Sequence, residues 1–318
     1  DIIHTMEKKN TGSQIMPKSV NELVDYYLKS PQFLALRSRT QKDYEYCIGR
    51  AVDTTITPAR KLGATKLDKL SVSDCKIAYQ QWVKRGVRTA NITTTVMSVL
   101  FNMAEELELI VRNPMRSVTK MKEKPRRVMW TVDQVRLFTD TAFSKYEWRS
   151  IGLIVYMAYS FAQRIGDIRS LKWENINFEE RRLDLEQSKK RAEVHIPILI
   201  HMYRMLEKQY KDFGFQEYVA PHPYPRSGAY RIYTDTDISR MVNKIKEEAG
   251  LPKELTAMDM RRTAITEMVE AGVDTTQIMA VSGHNSPNSM RPYIRHTYKS
   301  AANALSRREE SKNGTQTI

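Results

Sequence analysis

The stretch Ala162-Gln-Arg164-Ile-Gly-Asp167-Ile-Arg-Ser-Leu-Lys-Trp173 interleaves charge and apolarity at helical spacing. Ile165, Ile168 and Leu171 fall on one side, which predicts a helix buried on most of its surface. Arg164 and Asp167 stand at i,i+3 on it, either a surface ion pair or a pair drawn into the burial. Upstream, Ile151 to Tyr159 reads as an apolar helix, and the capping box Thr131-Val-Asp-Gln134 opens the domain. Downstream, Arg182–Gln187 and Glu193–Ile198 alternate or run apolar around the basic tip Ser188-Lys-Lys-Arg-Ala192, the pattern of a β-hairpin. Residues 199–213, 236–249, 259–271 and 275–282 then read as helices, the last opened by Asp274-Thr-Thr-Gln277. The expected product is a mixed, mostly helical domain over residues 128–318 with a small β-sheet. It ends in a polar tail in which Ala301, Ala302, Ala304 and Leu305 form a short stripe.

A second domain precedes it. Ser19-Val-Asn-Glu22 is a capping box ahead of Leu23, Tyr26, Tyr27 and Leu28 at helical spacing, and a further helix is expected from about Ser38 to Val52. A third starts at Ser71-Val-Ser-Asp74 and stops at Gly86, and a fourth covers residues 90–111, closed by Asn113-Pro114. These elements predict a small all-helical domain over 18–115, so the fold class is mainly α with a small sheet. Residues 1–17 are polar and patternless and are assigned no fold, which leaves room for an upstream segment. Between the domains, residues 116–127 have almost no apolar anchor. They read as a basic linker whose Lys120, Lys122, Lys124, Arg126 and Arg127 lie along a phosphate backbone.

At 318 residues, 41% hydrophobic and 28% charged, the chain has material for two real cores, which excludes global disorder and fibrous classes. No apolar run approaches the roughly 20 residues that cross a bilayer, and the N-terminus lacks the parts of a signal peptide. A cytoplasmic or nucleoid location and no membrane partner are therefore expected. Cys47 and Cys75 cannot frame a disulfide scaffold or a four-ligand zinc site and read as small buried hydrophobes. The net charge of +14 suits a polyanion, and nucleic acid is the expected one. Residues 1–127 carry 23 Lys and Arg against 13 Asp and Glu, whereas residues 128–318 carry 28 against 24. The N-terminal part is thus the stronger electrostatic grip. Gly-rich phosphate loops, His-Glu-x-x-His and Gly-x-Ser-x-Gly are absent, which removes nucleotide hydrolases, zincins and serine hydrolases.

What remains is a spread of basic residues with a terminal tyrosine: Arg164, Lys189, Arg261, His284 and Tyr293. Each alone has a dull reading as surface charge, turn residue or packed aromatic. Their order and spacing together resemble the tyrosine recombinase (phage integrase) family, over about Ser19 to Leu305. Arg164 with Asp167 and Leu171-Lys-Trp173 looks like the family's first box, and Gln187-Ser-Lys189 resembles its hairpin lysine. Asp259-Met-Arg261-Arg262-Thr263 resembles its His-x-Leu-Arg-Arg-Thr box and Gly283-His284 its Leu-Gly-His box; Tyr293 follows nine residues on, as the family's nucleophile does. One departure is plain. The family's histidine three residues before the second arginine is Met258 here, and a thioether neither takes nor gives a proton.

The resemblance implies a site-specific DNA recombinase, an integrase of a phage or other mobile element. It implies a homotetramer on two double-stranded DNA sites, with DNA-bending accessory proteins as candidate helpers and no cofactor or metal. Catalysis falls to Tyr293, Arg164, Lys189, Arg261 and His284, supported by Asp167 and Met258, and the C-terminal segment is expected to dock on a neighbouring protomer. The chemistry is coherent. A phenol has a pKa of about 10, so ionising it at pH 7 costs roughly 4 kcal/mol, which neighbouring cations must offset. Two alternatives stay open on sequence: a type IB topoisomerase-like relaxase, and a DNA-binding accessory protein with a degenerate site.

Overall fold

The computed structural model describes residues 16–189, 191–294 and 298–314, so the first fifteen residues, which the sequence leaves without a fold, lie outside it. The chain divides into two compact units, residues 1–126 and 127–318.

The first unit contains α1 (Val20–Leu28), α2 (Pro31–Leu34), α3 (Ser38–Val52), the strands β1 (Thr55–Thr57) and β2 (Arg60–Lys61), α4 (Val72–Val83) and α5 (Val87–Glu106). Its helix starts are chemical. The Ser71 hydroxyl accepts from the Asp74 amide while the Asp74 carboxylate accepts from the Ser71 amide, satisfying two donors that a helix start leaves open. Val20, Leu23 and Tyr27 of α1 pack on Ile48 and Ala51 of α3, Ala78 and Trp82 of α4, and Met97, Leu100 and Phe101 of α5. Both cysteines are buried and unbridged, and burial pushes the Cys75 thiol up to about 12. The unit departs from the all-helical expectation, because Thr55–Thr57 pairs antiparallel with Arg60–Lys61. The α5 helix also ends at Glu106 rather than residue 111.

Residues 116–123, expected as a linker, are fastened to this unit. Met115 and Val118 are buried, the Met121 amide donates to the Tyr79 hydroxyl (2.7 Å), and Asn91 Nδ2 donates to the Met121 carbonyl (3.0 Å). Lys120 Nζ donates to Thr95 Oγ1 at 2.7 Å.

The second unit runs α6 (Val132–Phe143), α7 (Tyr146–Ser160), α8 (Ile165–Ile168), β3 (Ile176–Asn177), β4 (Arg182–Glu186), β5 (Glu193–Pro197), α9 (Ile200–Phe213), α10 (Asp235–Glu248), α11 (Met260–Glu270), α12 (Thr275–Ser282) and α13 (Tyr298–Gly314). Helix α7 is its axis, with Ile151, Leu153, Ile154, Val155, Met157 and Ala158 all buried. The antiparallel sheet has the order β3-β4-β5. Leu183 opposite Ile196 and Leu185 opposite Val194 give it one buried face, as period-two alternation requires. The unit is closed end to end: the Trp130 amide donates to Thr263 Oγ1 (3.1 Å) and its indole to the Thr256 carbonyl (3.0 Å).

The tail forms α13 and is bonded to its own unit. Arg307 donates to the carbonyls of Gly272 (2.9 Å) and Ala271 (3.1 Å), and Asn303 to that of Glu270 (3.2 Å), capping the end of α11. Its polar side chains Asn303 and Arg307 thus satisfy carbonyls of its own unit. No helix of the described residues is long and apolar enough to cross a membrane.

Candidate active site

The site begins at the end of α7. The Gln163 amide reaches back to the Ala158 carbonyl (3.0 Å) and the Ala162 amide to that of Tyr159 (3.1 Å), the two bonds of a Schellman stop. Such a stop needs a left-handed residue, and here it is Ala162, φ +51°, which carries a penalty of roughly 1–2 kcal/mol that glycine escapes. The reversal turns the Ala162 carbonyl toward Arg261 Nη1, which donates to it at 3.2 Å, and sets Arg164 at the head of α8.

Arg261 is the second residue of α11 and is 7% exposed. Burial, and then the charge of Arg164, push its guanidinium down to about 10, with Tyr293 and Asp167 pulling the other way. It remains a cation at neutral pH. Its Nη2 lies 3.3 and 3.5 Å from the two ring nitrogens of His284, whose Nδ1 is 2.7 Å from Ser282 Oγ. Between them Gly283 is left-handed at φ +68°, and a Cβ there would come within 2.5 Å of Gln187 Nε2, so only glycine fits. Tyr293 closes the 3-10 turn Pro287–Tyr293; its half-buried ring lies 5.6 Å from that of His284 and 5.8 Å from the Arg262 guanidinium carbon. Arg164, Arg261, His284 and Tyr293 are thus drawn into one neighbourhood from positions up to 129 residues apart.

Residues 130–300 match the model of the phage integrase family, more than half of the chain. The chain belongs to the phage integrase family. It is an enzyme of the tyrosine recombinase type. A tyrosine recombinase of Agathobacter rectalis is 22% identical over 281 residues, spanning 81% of this chain and 92% of that one. Among solved structures, the Tn1549 transposon integrase in complex with circular intermediate DNA superposes with a TM-score of 0.71 at 18% identity, covering 91% of this chain and 99% of that one. The lambda integrase tetramer bound to a Holliday junction gives 0.70 at 20%, covering 85% and 78%.

In this tyrosine recombinase the other expected residues are distributed as follows. Asp167 is buried, and its Oδ1 accepts from the Ser188 amide (3.0 Å) and hydroxyl (2.5 Å), while Oδ2 stands 3.7 Å from Arg164 Nη1. It therefore pins the β4–β5 hairpin to α8. Lys189, the next residue, is exposed at the hairpin tip. Met258 is 74% exposed on the turn before α11. The basic residues from Lys120 to Arg126 belong to the first unit, and Arg127 begins the second; all five are exposed. His222 stacks on Tyr233 at 3.7 Å and faces Asp237 at 3.9 Å, in a cluster that shares no residue with the arginine site. Sequence alone assigns no role to Gln163, Gln187, Ser188 or Ser282. Gln163 and Gln187 lie inside the quoted stretches, next to Arg164 and two residues before Lys189, and their complete burial marks them in the structure.

Proposed function

We propose that this chain is a site-specific recombinase, an integrase of a phage or other mobile element, that cuts and rejoins double-stranded DNA through a 3′-phosphotyrosine on Tyr293. The observation that carries the reading is the gathering of Arg164, Arg261 and His284 around the phenol of Tyr293. Two guanidiniums held together are unfavourable unless a dianionic group sits between them, and the pentacoordinate phosphorus of a phosphoryl transfer is such a group. Tyr293 Oη attacks phosphorus and the bond to the 5′ oxygen breaks. Lys189, carried on the pinned hairpin, gives that oxygen a proton. Met258 cannot take the phenolic proton, Asp259 Oδ2 is bonded to the Thr256 amide and hydroxyl, and His222 belongs to another cluster, so the proton goes to the neighbouring His284 imidazole or to solvent water. The free 5′ hydroxyl of a partner duplex then reverses the step, which conserves the ester and needs two duplexes held by four protomers. Among the similar structures, a lambda integrase tetramer on a Holliday junction supports that assembly, and a transposon integrase on circular intermediate DNA supports the DNA partner. The basic first unit and the segment with Lys120, Lys122, Lys124, Arg126 and Arg127 hold the DNA backbone, in the cytoplasm and on the nucleoid.

The test is selection of covalent adducts from a pool of duplexes randomised around a single nick. Detergent-stable protein–DNA adduct attached at Tyr293, followed by strand exchange between two copies of the selected site, is the expected result. Adduct without exchange points to a relaxase, and DNA binding without adduct to an accessory protein.

A further inference from the structure

Gln187 and Gln163 are both 0% exposed, and every side-chain donor and acceptor of the pair is used. Gln187 Nε2 donates to Gln163 Oε1 (2.7 Å) and to the Ser282 carbonyl (2.8 Å), while its Oε1 accepts from Arg164 Nη1 (2.9 Å). Gln163 Nε2 donates to the carbonyls of Phe161 (2.9 Å) and Val281 (2.7 Å). This network fixes which way each amide faces, because a flip of Gln187 would turn its NH2 on a guanidinium and its oxygen on two acceptors. It also ties together the three segments that bear Arg164, Lys189 and His284, and Gly283 lacks a side chain where Gln187 passes.

We infer that Gln187, oriented by Gln163, is the positioning residue that presents Arg164 to the scissile phosphate, an inference that rests on the recombinase reading above. The chemistry favours an amide here. A carboxylate would hold Arg164 equally well but would neutralise the charge that the phosphate requires; the neutral carbonyl orients one N–H and leaves the rest of the fork for the phosphate. Asp167, the nearby carboxylate, spends its Oδ1 on Ser188 and meets Arg164 only as an ion pair at 3.7 Å, so the orienting hydrogen bond comes from Gln187.

The experiment uses the nicked duplex that the wild-type chain selects, carrying at the scissile position either an ordinary phosphate or a methylphosphonate, whose methyl group removes the charge that Arg164 answers. On the ordinary phosphate, Gln187→Met, which leaves Arg164 unoriented, and Gln187→Glu, which neutralises it, each slow adduct formation by about 100-fold. DNA affinity stays at the wild-type level. On the methylphosphonate both variants come close to the wild-type rate. Equal deficits on the two substrates, or a loss of DNA affinity that matches the loss of rate, overturn the inference. Melting curves guard against misfolding: Gln187→Glu keeps the volume and the bond to Arg164 and carries the test if Gln187→Met does not fold. A wild-type chain that forms no adduct overturns the recombinase reading and this one together. Adduct by the wild type without methylphosphonate rescue of the variants overturns this one alone.

Discussion

His284 lies edge-on to Tyr293, with ring centroids 5.6 Å apart and planes inclined by 63°. The Tyr293 ring also packs on the Ala264, Ile265, Ile278 and Met290 cluster, so removing the phenolic oxygen takes away its hydrogen bond with Arg261 but leaves the ring its packing. Tyr293→Phe is expected to abolish the detergent-stable adduct while leaving DNA affinity unchanged in gel shifts. Tyr298, whose side chain lies outside the described residues, is the other candidate nucleophile. Loss of adduct in Tyr298→Phe but not in Tyr293→Phe would reverse the assignment.

Arg261 is buried beside a second cation, and its depressed guanidinium shows that the folded chain holds that charge against resistance. An oxyanion relieves it. Sulfate should therefore raise the melting temperature of the wild type by mass action, and by much less in Arg261→Met or Arg164→Met. Without sulfate, Arg261→Met should shift the melting temperature little, since relief of the burial cost and of the repulsion from Arg164 offsets the lost bonds to the Ala162 carbonyl and Tyr293. Its cleavage rate should fall by roughly 10²–10³, as for loss of a preorganised donor. A marked fall in melting temperature would show that Arg261 stabilises the fold.

Ala162 holds a left-handed conformation at the end of α7. Ala162→Gly removes the steric penalty and adds chain entropy to the unfolded state, a net gain of up to about 1 kcal/mol. Urea unfolding followed by the tryptophans of the second unit would measure it. No gain, or a loss, would mean that the turn is unstrained.

Replacing Lys120, Lys122, Lys124, Arg126 and Arg127 by alanine should flatten the dependence of log affinity on log salt by about 0.9 for each phosphate that the variant no longer neutralises. Because Lys120 also bonds Thr95, the variant's first unit should be checked for unchanged melting. An unaltered slope would remove this segment from the DNA interface.

Burial, and then Arg231, hold the His222 imidazole below its ordinary 6.5; Asp237 opposes the shift and Arg240 adds to it. The unfolded chain then takes up a proton at higher pH than the folded one, so this contribution is intact above pH 6.5 and is lost as the pH falls below it. Asp184 and Asp237, held below 3.8 by their hydrogen bonds, lose their contributions only at lower pH. His222→Phe keeps the stack on Tyr233 and should flatten the first acid limb of stability against pH. A limb of unchanged depth would assign it to other groups.

Much of the fold is legible in the sequence where the signal is local. The reciprocal caps at Ser71–Asp74 and Thr131–Gln134 fix the starts of α4 and α6, and Asp274 marks the start of α12. The hairpin of β4 and β5 follows from strict alternation around a polar tip. Elements whose stability comes from elsewhere are illegible. The β1–β2 pair is short, with Ile56 as its buried anchor, and it is held by distant partners: Trp82 Nε1 donates to Thr54 and Gln81 to the Thr55 carbonyl, 28 and 26 residues away. Likewise Met121 looks unanchored until Tyr79, 42 residues earlier, is seen to bond its amide. The site divides the same way: motif spacing marks Arg164, Arg261, His284 and Tyr293, but the partners of Gln163 and Gln187 lie up to 118 residues along the chain.

The bonds from Trp130 to Thr256 and Thr263 have a consequence for how the molecule comes into being. The first unit closes on itself within its own 126 residues and can fold while the ribosome is still at work. In the second unit the first turn waits for a helix synthesised 133 residues later, and such distant closures are slow steps. A nascent or truncated chain can therefore acquire its basic, folded first unit well before the two arginines meet the tyrosine. The cluster of Arg164, Arg261 and Tyr293 forms only after residues 127–293 have all been made.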